Sequence, residues 1–137
     1  MDRLPLILIC DDDSAFQLAV KQSLKGKYDC KTAYNTDEAL AILKNNPIEL
    51  LLLDIQMRTP DEGLLSIARF KEIDPDLAIV MSSSMTDFKT VREAMRLGAI
   101  DYVAKDFDSN ELVHTVTRVL EVRNLLRRRD QQNFEVV

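Results

Sequence analysis

Residues 48–57 read IELLLLDIQM: an unbroken apolar run that ends on a carboxylate, Asp54. Continuous hydrophobicity, as opposed to alternation, marks a strand covered on both faces, and such strands belong to parallel sheets. Four more runs fit this description: LILIC (6–10), the weaker YDCKTAY (28–34), LAIVM (77–81) and IDYVA (100–104).

Segments of helical period lie between and after these runs. Their apolar positions are Phe16, Ala19, Val20 and Leu24; Ala39, Leu40 and Leu43; Leu64, Ile67 and Ala68; Val91, Ala94 and Met95; and Leu112, Val113, Val116, Val119 and Leu120. Thr36, Asp87 and Asp108 stand where helix N-caps are wanted, and Gly98 where a helix should stop. Five strand–helix alternations are too few for an eight-stranded barrel. The expected fold class is α/β, a doubly wound open sheet with helices on both faces.

Composition bounds the function. With 137 residues the chain has room for one full core, and 46% hydrophobic with 30% charged residues is the balance of a globular protein. No apolar stretch approaches the roughly 20 residues of a membrane span, and no signal-peptide pattern opens the chain, so the expected location is cytoplasmic, without a membrane partner. A net charge of −5 argues against a nucleic-acid surface on this domain. Cys10 and Cys30 have no metal-binding spacing and read as reduced thiols in strand-like segments. The single histidine, His114, reads as a solvated helix residue, and Arg127–Arg129 as a solvated helix end. From about Arg123 the apolar pattern runs on through Leu125 and Leu126, so residues 123–137 are expected to form a helical extension or linker after a domain of residues 1–122.

Ligands of open α/β sheets bind beyond the carboxyl ends of the strands. Asp11-Asp12-Asp13 follow the first run, Asp54 the third, Ser82-Ser83-Ser84 the fourth and Lys105 the fifth. Carboxylates gathered in one place repel one another unless a cation joins them. With oxygen ligands and no His or Cys offering a softer one, magnesium is the fitting ion. A lysine and a hydroxyl beside it suit phosphoryl oxygens, so the set describes phosphoryl transfer with an aspartate as nucleophile. Asp13 reads as a helix cap or as an acid standing behind the metal ligands. A phosphohydrolase would need a second Asp two residues after the nucleophile, where this chain has Gln56.

The stretches ILICDDD, LLLLDIQM, IVMSSSMTD and REAMRLGAIDYVAKDF resemble the receiver domain of bacterial two-component response regulators, over residues 4 to about 122. The resemblance implies a flavodoxin-like (βα)5 fold with strand order 2-1-3-4-5. It makes Asp54 the acceptor of a phosphoryl group from a sensor histidine kinase or a phosphotransfer protein. Asp11 and Asp12 become the acidic pair for Mg2+, with Asp12, Asp54 and the backbone carbonyl of Gln56 as direct ligands. Lys105 would contact the phosphoryl group, Ser83 would turn to hydrogen-bond it, with Ser82 or Ser84 as the alternative if the alignment slips by one residue, and Tyr102 would be the aromatic switch residue. Chemistry would be limited to self-phosphorylation and slow self-dephosphorylation. An output domain or effector protein is the implied further partner, and Val116, Val119, Val122 and Leu126 suggest a helix able to form a homodimer.

Two departures from the family pattern carry expectations of their own. In MRTPDEG the proline falls two places later than usual and a residue is inserted, which predicts a reshaped loop after Asp54. Asp106 follows Lys105 where the family has a proline in a cis peptide; a non-proline cis bond costs about 3 kcal/mol. Lys105 is therefore expected on a trans bond and aimed differently. An interaction module that never takes phosphate is the alternative these departures encourage.

Overall fold

The computed structural model describes residues 3–57, 62–84 and 88–136, with side chains as far as residue 131. Asp87 and the centre of the loop after Asp54, residues 58–61, lie outside them. Ten elements alternate among the described residues: β1 (Leu6–Cys10), α1 (Ser14–Leu24), β2 (Asp29–Ala33), α2 (Thr36–Asn45), β3 (Ile48–Asp54), α3 (Glu62–Ile73), β4 (Ala78–Ser83), α4 (Phe88–Leu97), β5 (Asp101–Ala104) and α5 (Ser109–Val136). The strands form one parallel sheet in the order β2-β1-β3-β4-β5, the doubly wound flavodoxin-like arrangement expected.

Strand parity divides the core in two. Leu8, Cys10, Leu51, Leu53, Ile79 and Met81 face the layer of α2, α3 and α4, where Ile67 and Phe70 pack on them. Ile7, Ile9, Leu50, Leu52, Ala78 and Val80 face the layer of α1 and α5, meeting Val20, Leu24, Leu112 and Val116. This explains why the run at 50–53 needs four leucines: all four side chains are 1% exposed or less, two on each face. Truncating any one to alanine would cost about 2–5 kcal/mol.

The helices begin and end for local reasons. Asp13 caps α1, accepting from the amides of Ala15 (2.9 Å) and Phe16 (3.3 Å), and Asp108 stands before α5, accepting from the Asn110 amide at 2.8 Å. The cap of α2 is Asn35, not Thr36: its side chain accepts from the Glu38 amide at 2.9 Å, and Glu38 reaches back to the Tyr34 amide at 2.7 Å. Thr36 is the first helical residue, and its buried hydroxyl has no hydrogen-bond partner among the described residues. Gly98 follows α4 with φ at +127°, a left-handed turn suited to glycine.

Three expected stripe positions moved: Ala19, Ala68 and Met95 are exposed, while Gln17 and Phe70 are buried in their helices. Cys10 is buried and Cys30 half-buried, both as free thiols; burial pushes both thiols up, Cys30 to about 11. His114 is exposed. No helix among the described residues is long and apolar enough to cross a membrane.

α5 runs unbroken through the region expected as an extension. Arg123 is the last buried residue among those described in this helix: the guanidinium donates to the Asp76 carbonyl at 2.8 Å and to Glu49 at 3.4 Å. Beyond it Leu125 and Leu126 are exposed, and Arg127 and Arg129 make loose ion pairs with Asp76 (3.8 Å) and Asp130 (3.9 Å).

Candidate phosphoacceptor site

At the carboxyl edge of the sheet β1 and β3 end side by side, Cys10 opposite Leu53, so Asp11 and Asp54 emerge together. Both side chains are almost wholly buried, whereas Asp12 is exposed. Carboxylate oxygens of Asp11, Asp12 and Asp54 lie within 4.8 Å of one another. Only the tertiary fold could bring residues 11 and 54 so near.

The surroundings hold each carboxylate in place. Asp11 Oδ1 accepts from the Asp13 amide at 2.9 Å, so the cap of α1 also steadies the acidic pair. The Asp11 carbonyl accepts from the buried Gln17 side chain at 2.8 Å, and the same amide group reaches the Ala33 carbonyl at 3.0 Å. Gln17 thus ties β1, β2 and α1 together beneath the site. The sequence reading missed it; the available signal was a glutamine on the buried stripe of α1. Asp54 Oδ1 accepts from the Gln56 amide at 2.9 Å.

Lys105 closes the group from β5. Its Nζ lies 3.0 Å from Asp11 Oδ2 and 3.2 Å from Asp54 Oδ2. The expectation for Asp106 is met in one half only. The described residues contain no cis peptide, so the Lys105–Asp106 bond is trans, yet the side chain still points between the two carboxylates. Backbone pairing supplies the reason: the Lys105 amide donates to the Ser83 carbonyl at 3.2 Å, which extends the β4–β5 ladder to the lysine itself.

The charges are unevenly compensated. Burial pushes the Asp11 carboxyl above its usual range, against the pull of the Asp13 amide and Lys105. Burial also works against the Lys105 ammonium, but Asp11 and Asp54 outweigh it and hold its pKa above the ordinary value. Asp11 Oδ2, although beside the ammonium, receives no directed hydrogen bond from the described residues. A buried carboxylate oxygen with no directed donor, in a group of three carboxylates with no softer ligand among the described residues, fits a hard divalent cation.

Ser83 is buried and donates from Oγ to the Gln56 side-chain oxygen at 2.7 Å. Its carbonyl accepts from the Tyr102 hydroxyl at 3.2 Å. The serine and the aromatic named from sequence therefore meet, and Gln56 joins them through its side chain. Burial, then Asp106, push the Tyr102 phenol up. Ser82, opposite Asp54 in the β3–β4 register, is buried, and its hydroxyl has no hydrogen-bond partner among the described residues.

The geometry agrees with sequence comparison: the profile of the response regulator receiver domain matches residues 7–117. The chain belongs to this family. Receiver domains are the phosphorylatable modules of two-component systems, and the acidic cluster is consistent with such a site. Among curated proteins the chain is similar to the DNA-binding transcriptional regulator NtrC of Azospirillum brasilense, 35% identical over 116 residues, covering 83% of this chain and 24% of that protein. It is also similar to the transcriptional regulatory protein ZraR of Salmonella typhimurium, 30% identical over 115 residues, 83% of this chain and 26% of the relative. The chain thus spans about a quarter of these relatives. Among solved structures, NtrX from Brucella abortus superposes with a TM-score of 0.88 at 29% identity, covering 95% of this chain and 30% of that one. A CheY-like receiver domain from Methanospirillum hungatei superposes at 0.82 with 25% identity, over 89% of this chain and 98% of the other.

Proposed function

We propose that this receiver domain is a phosphorylation switch whose acceptor is Asp54. The observation that carries the reading is Lys105 Nζ held 3.0 Å from Asp11 and 3.2 Å from Asp54, a cation placed where a phosphoryl group on Asp54 would put its new negative charge. An Asp54 carboxylate oxygen attacks the phosphorus of a phosphohistidine on a sensor kinase or phosphotransfer protein. The P–O bond forms as the P–N bond breaks, and the departing imidazole nitrogen keeps the electron pair. Hydrolysis by water returns the carboxylate and inorganic phosphate, and no other turnover is assigned to the domain.

Asp12, Asp54 and the Gln56 carbonyl would hold Mg2+ directly, with Asp11 completing the acidic pair. Bound there, the ion would neutralise the carboxylates and the transferring phosphoryl oxygens. Lys105 orients one phosphoryl oxygen. Ser83 leaves Gln56 to hydrogen-bond another, and Tyr102, bonded to the Ser83 carbonyl, follows. The rearrangement alters the surface formed by α4 and β5, which an output domain or effector protein reads. Residues 1–122 constitute the switch, and 123–137 a helical connection that passes its state onward, with pairing of two copies through the exposed Val122 and Leu126 as one means; Val116 and Val119 are buried in the domain's own core and take no part.

The test is intact mass after incubation with acetyl phosphate, with and without Mg2+, on the wild-type chain and Asp54→Asn. One added phosphoryl group that requires both Mg2+ and Asp54 is expected. Labelling that persists in the variant would displace Asp54 as acceptor, and no labelling of the wild type under any condition would favour a phosphate-independent interaction module.

A further inference from the structure

Lys105 has a third neighbour besides its two carboxylates. Its Nζ stands 5.1 Å from the centre of the Phe16 ring, inside the range of about 6 Å in which an ammonium is drawn to an aromatic face. We infer that Phe16 is a positioning residue for Lys105, fixing the ammonium between Asp11 and Asp54. The inference rests on the phosphoacceptor reading for its purpose, though not for its geometry.

Two contacts hold the ring itself. Its own amide bonds the Asp13 cap at 3.3 Å, and the Asp13 amide in turn bonds Asp11, so the ring rides on the same turn that presents the acidic pair. On another edge it meets Phe107 in a T-shaped contact, centroids 5.9 Å apart and planes at 83°. Phe107 lies two residues beyond Lys105. The Phe16 ring is therefore held both by its own turn in α1 and by a ring from the exit of the lysine's strand.

Such a support has a task here. A lysine carries its charge on a flexible four-carbon stem, and a point charge attracted to two carboxylates takes no set direction from them. With Asp106 next in the chain, the ring face supplies a direction that the following residue does not. The plain alternative is that Phe16 only fills the core, where it packs with Val20 and Leu24. Under that alternative a leucine would serve as well.

The experiment compares the wild-type chain with Phe16→Leu, Phe16→Tyr and Phe107→Leu. By proton NMR, the Lys105 ε-methylene protons should lie upfield in the wild type because of the ring current. They should move toward the ordinary lysine position in Phe16→Leu and stay upfield in Phe16→Tyr. With acetyl phosphate and Mg2+, Phe16→Leu should label about three- to tenfold more slowly, and Phe16→Tyr within about twofold of wild type. If the leucine variant fails to fold, Phe107→Leu decides, with a smaller upfield shift and slower labelling expected. An unchanged ε-methylene shift, or wild-type labelling in the folded leucine variants, overturns the inference. If the wild type itself takes no label, the phosphoacceptor reading falls alone, and the NMR comparison still decides whether the ring holds the lysine.

Discussion

Gly63, in the first turn of α3, lies against the main chain of Asp54: a Cβ at this position would overlap the Asp54 carbonyl oxygen and the Ile55 Cα, with the Asp54 carbonyl carbon at 3.0 Å. In an open helix, Gly→Ala would gain roughly 0.5–1 kcal/mol of backbone entropy. Here the obstructing atoms are backbone, which cannot turn aside as a side-chain tip can. Steric conflict outweighs the gain, and Gly63→Ala should destabilise the domain by about 1–3 kcal/mol. Urea unfolding measures this, and a variant as stable as wild type would mean that α3 can slide away from the acceptor at no cost.

The Ser83–Gln56 hydrogen bond (2.7 Å) opposes the turn of the serine toward a phosphoryl group. A net hydrogen bond is worth about 0.5–1.5 kcal/mol. Gln56→Leu should therefore tighten binding of the phosphoryl analogue beryllofluoride by roughly two- to tenfold. Weaker binding in a titration of the variant would show that Gln56 helps the bound state instead.

Magnesium affinity should fall on acidification, beginning above the ordinary carboxylate range, because burial raises the Asp11 pKa and a protonated Asp11 no longer attracts the ion. The metal-free domain should respond in the opposite sense. A carboxyl with a raised folded pKa binds its proton more tightly in the folded state, so this group adds stability as pH falls from that pKa toward about 3.9. Lys105, raised as well, contributes fully below about 10.4, and its contribution is lost as pH rises through its folded pKa. Calorimetric Mg2+ titrations and melting curves across pH separate the two trends; affinity that stays constant down to the ordinary carboxylate range would refute the assignment of Asp11 to the ion.

Arg123 anchors the middle of α5 to the amino-terminal side of the sheet through the Asp76 carbonyl (2.8 Å). Arg123→Met keeps most of the buried stem but leaves that carbonyl unpaired. A loss of about 1–2 kcal/mol is expected in chemical denaturation, with the phosphorylation rate unchanged because the site lies at the opposite edge of the sheet. A slowed rate would mean that the two ends are coupled through α5.

Much of this protein is local and therefore legible in the chain. The runs at 6–10, 48–53 and 77–81 correspond to β1 (Leu6–Cys10), β3 (Ile48–Asp54) and β4 (Ala78–Ser83) because a strand buried on both faces must be apolar throughout. Asp11, Asp54 and Lys105 are legible for a related reason: each is a polar residue at the carboxyl end of an apolar run, and a parallel sheet gathers all those ends on one edge. What tertiary structure decided depends on neighbours distant in sequence. Asn35, not Thr36, caps α2, because both side chains suit the role and only burial of the threonine hydroxyl separates them. Gln17 is buried in place of Ala19, because carbonyls of Asp11 and Ala33 converge on it from two strands. Lys105 reaches the site beside Asp106, because the β4–β5 ladder carries its backbone there and Asp11 and Asp54 draw its ammonium. Periodicity tells which face a residue occupies; the atoms it meets there come from other strands and helices, and only the packed fold brings them together.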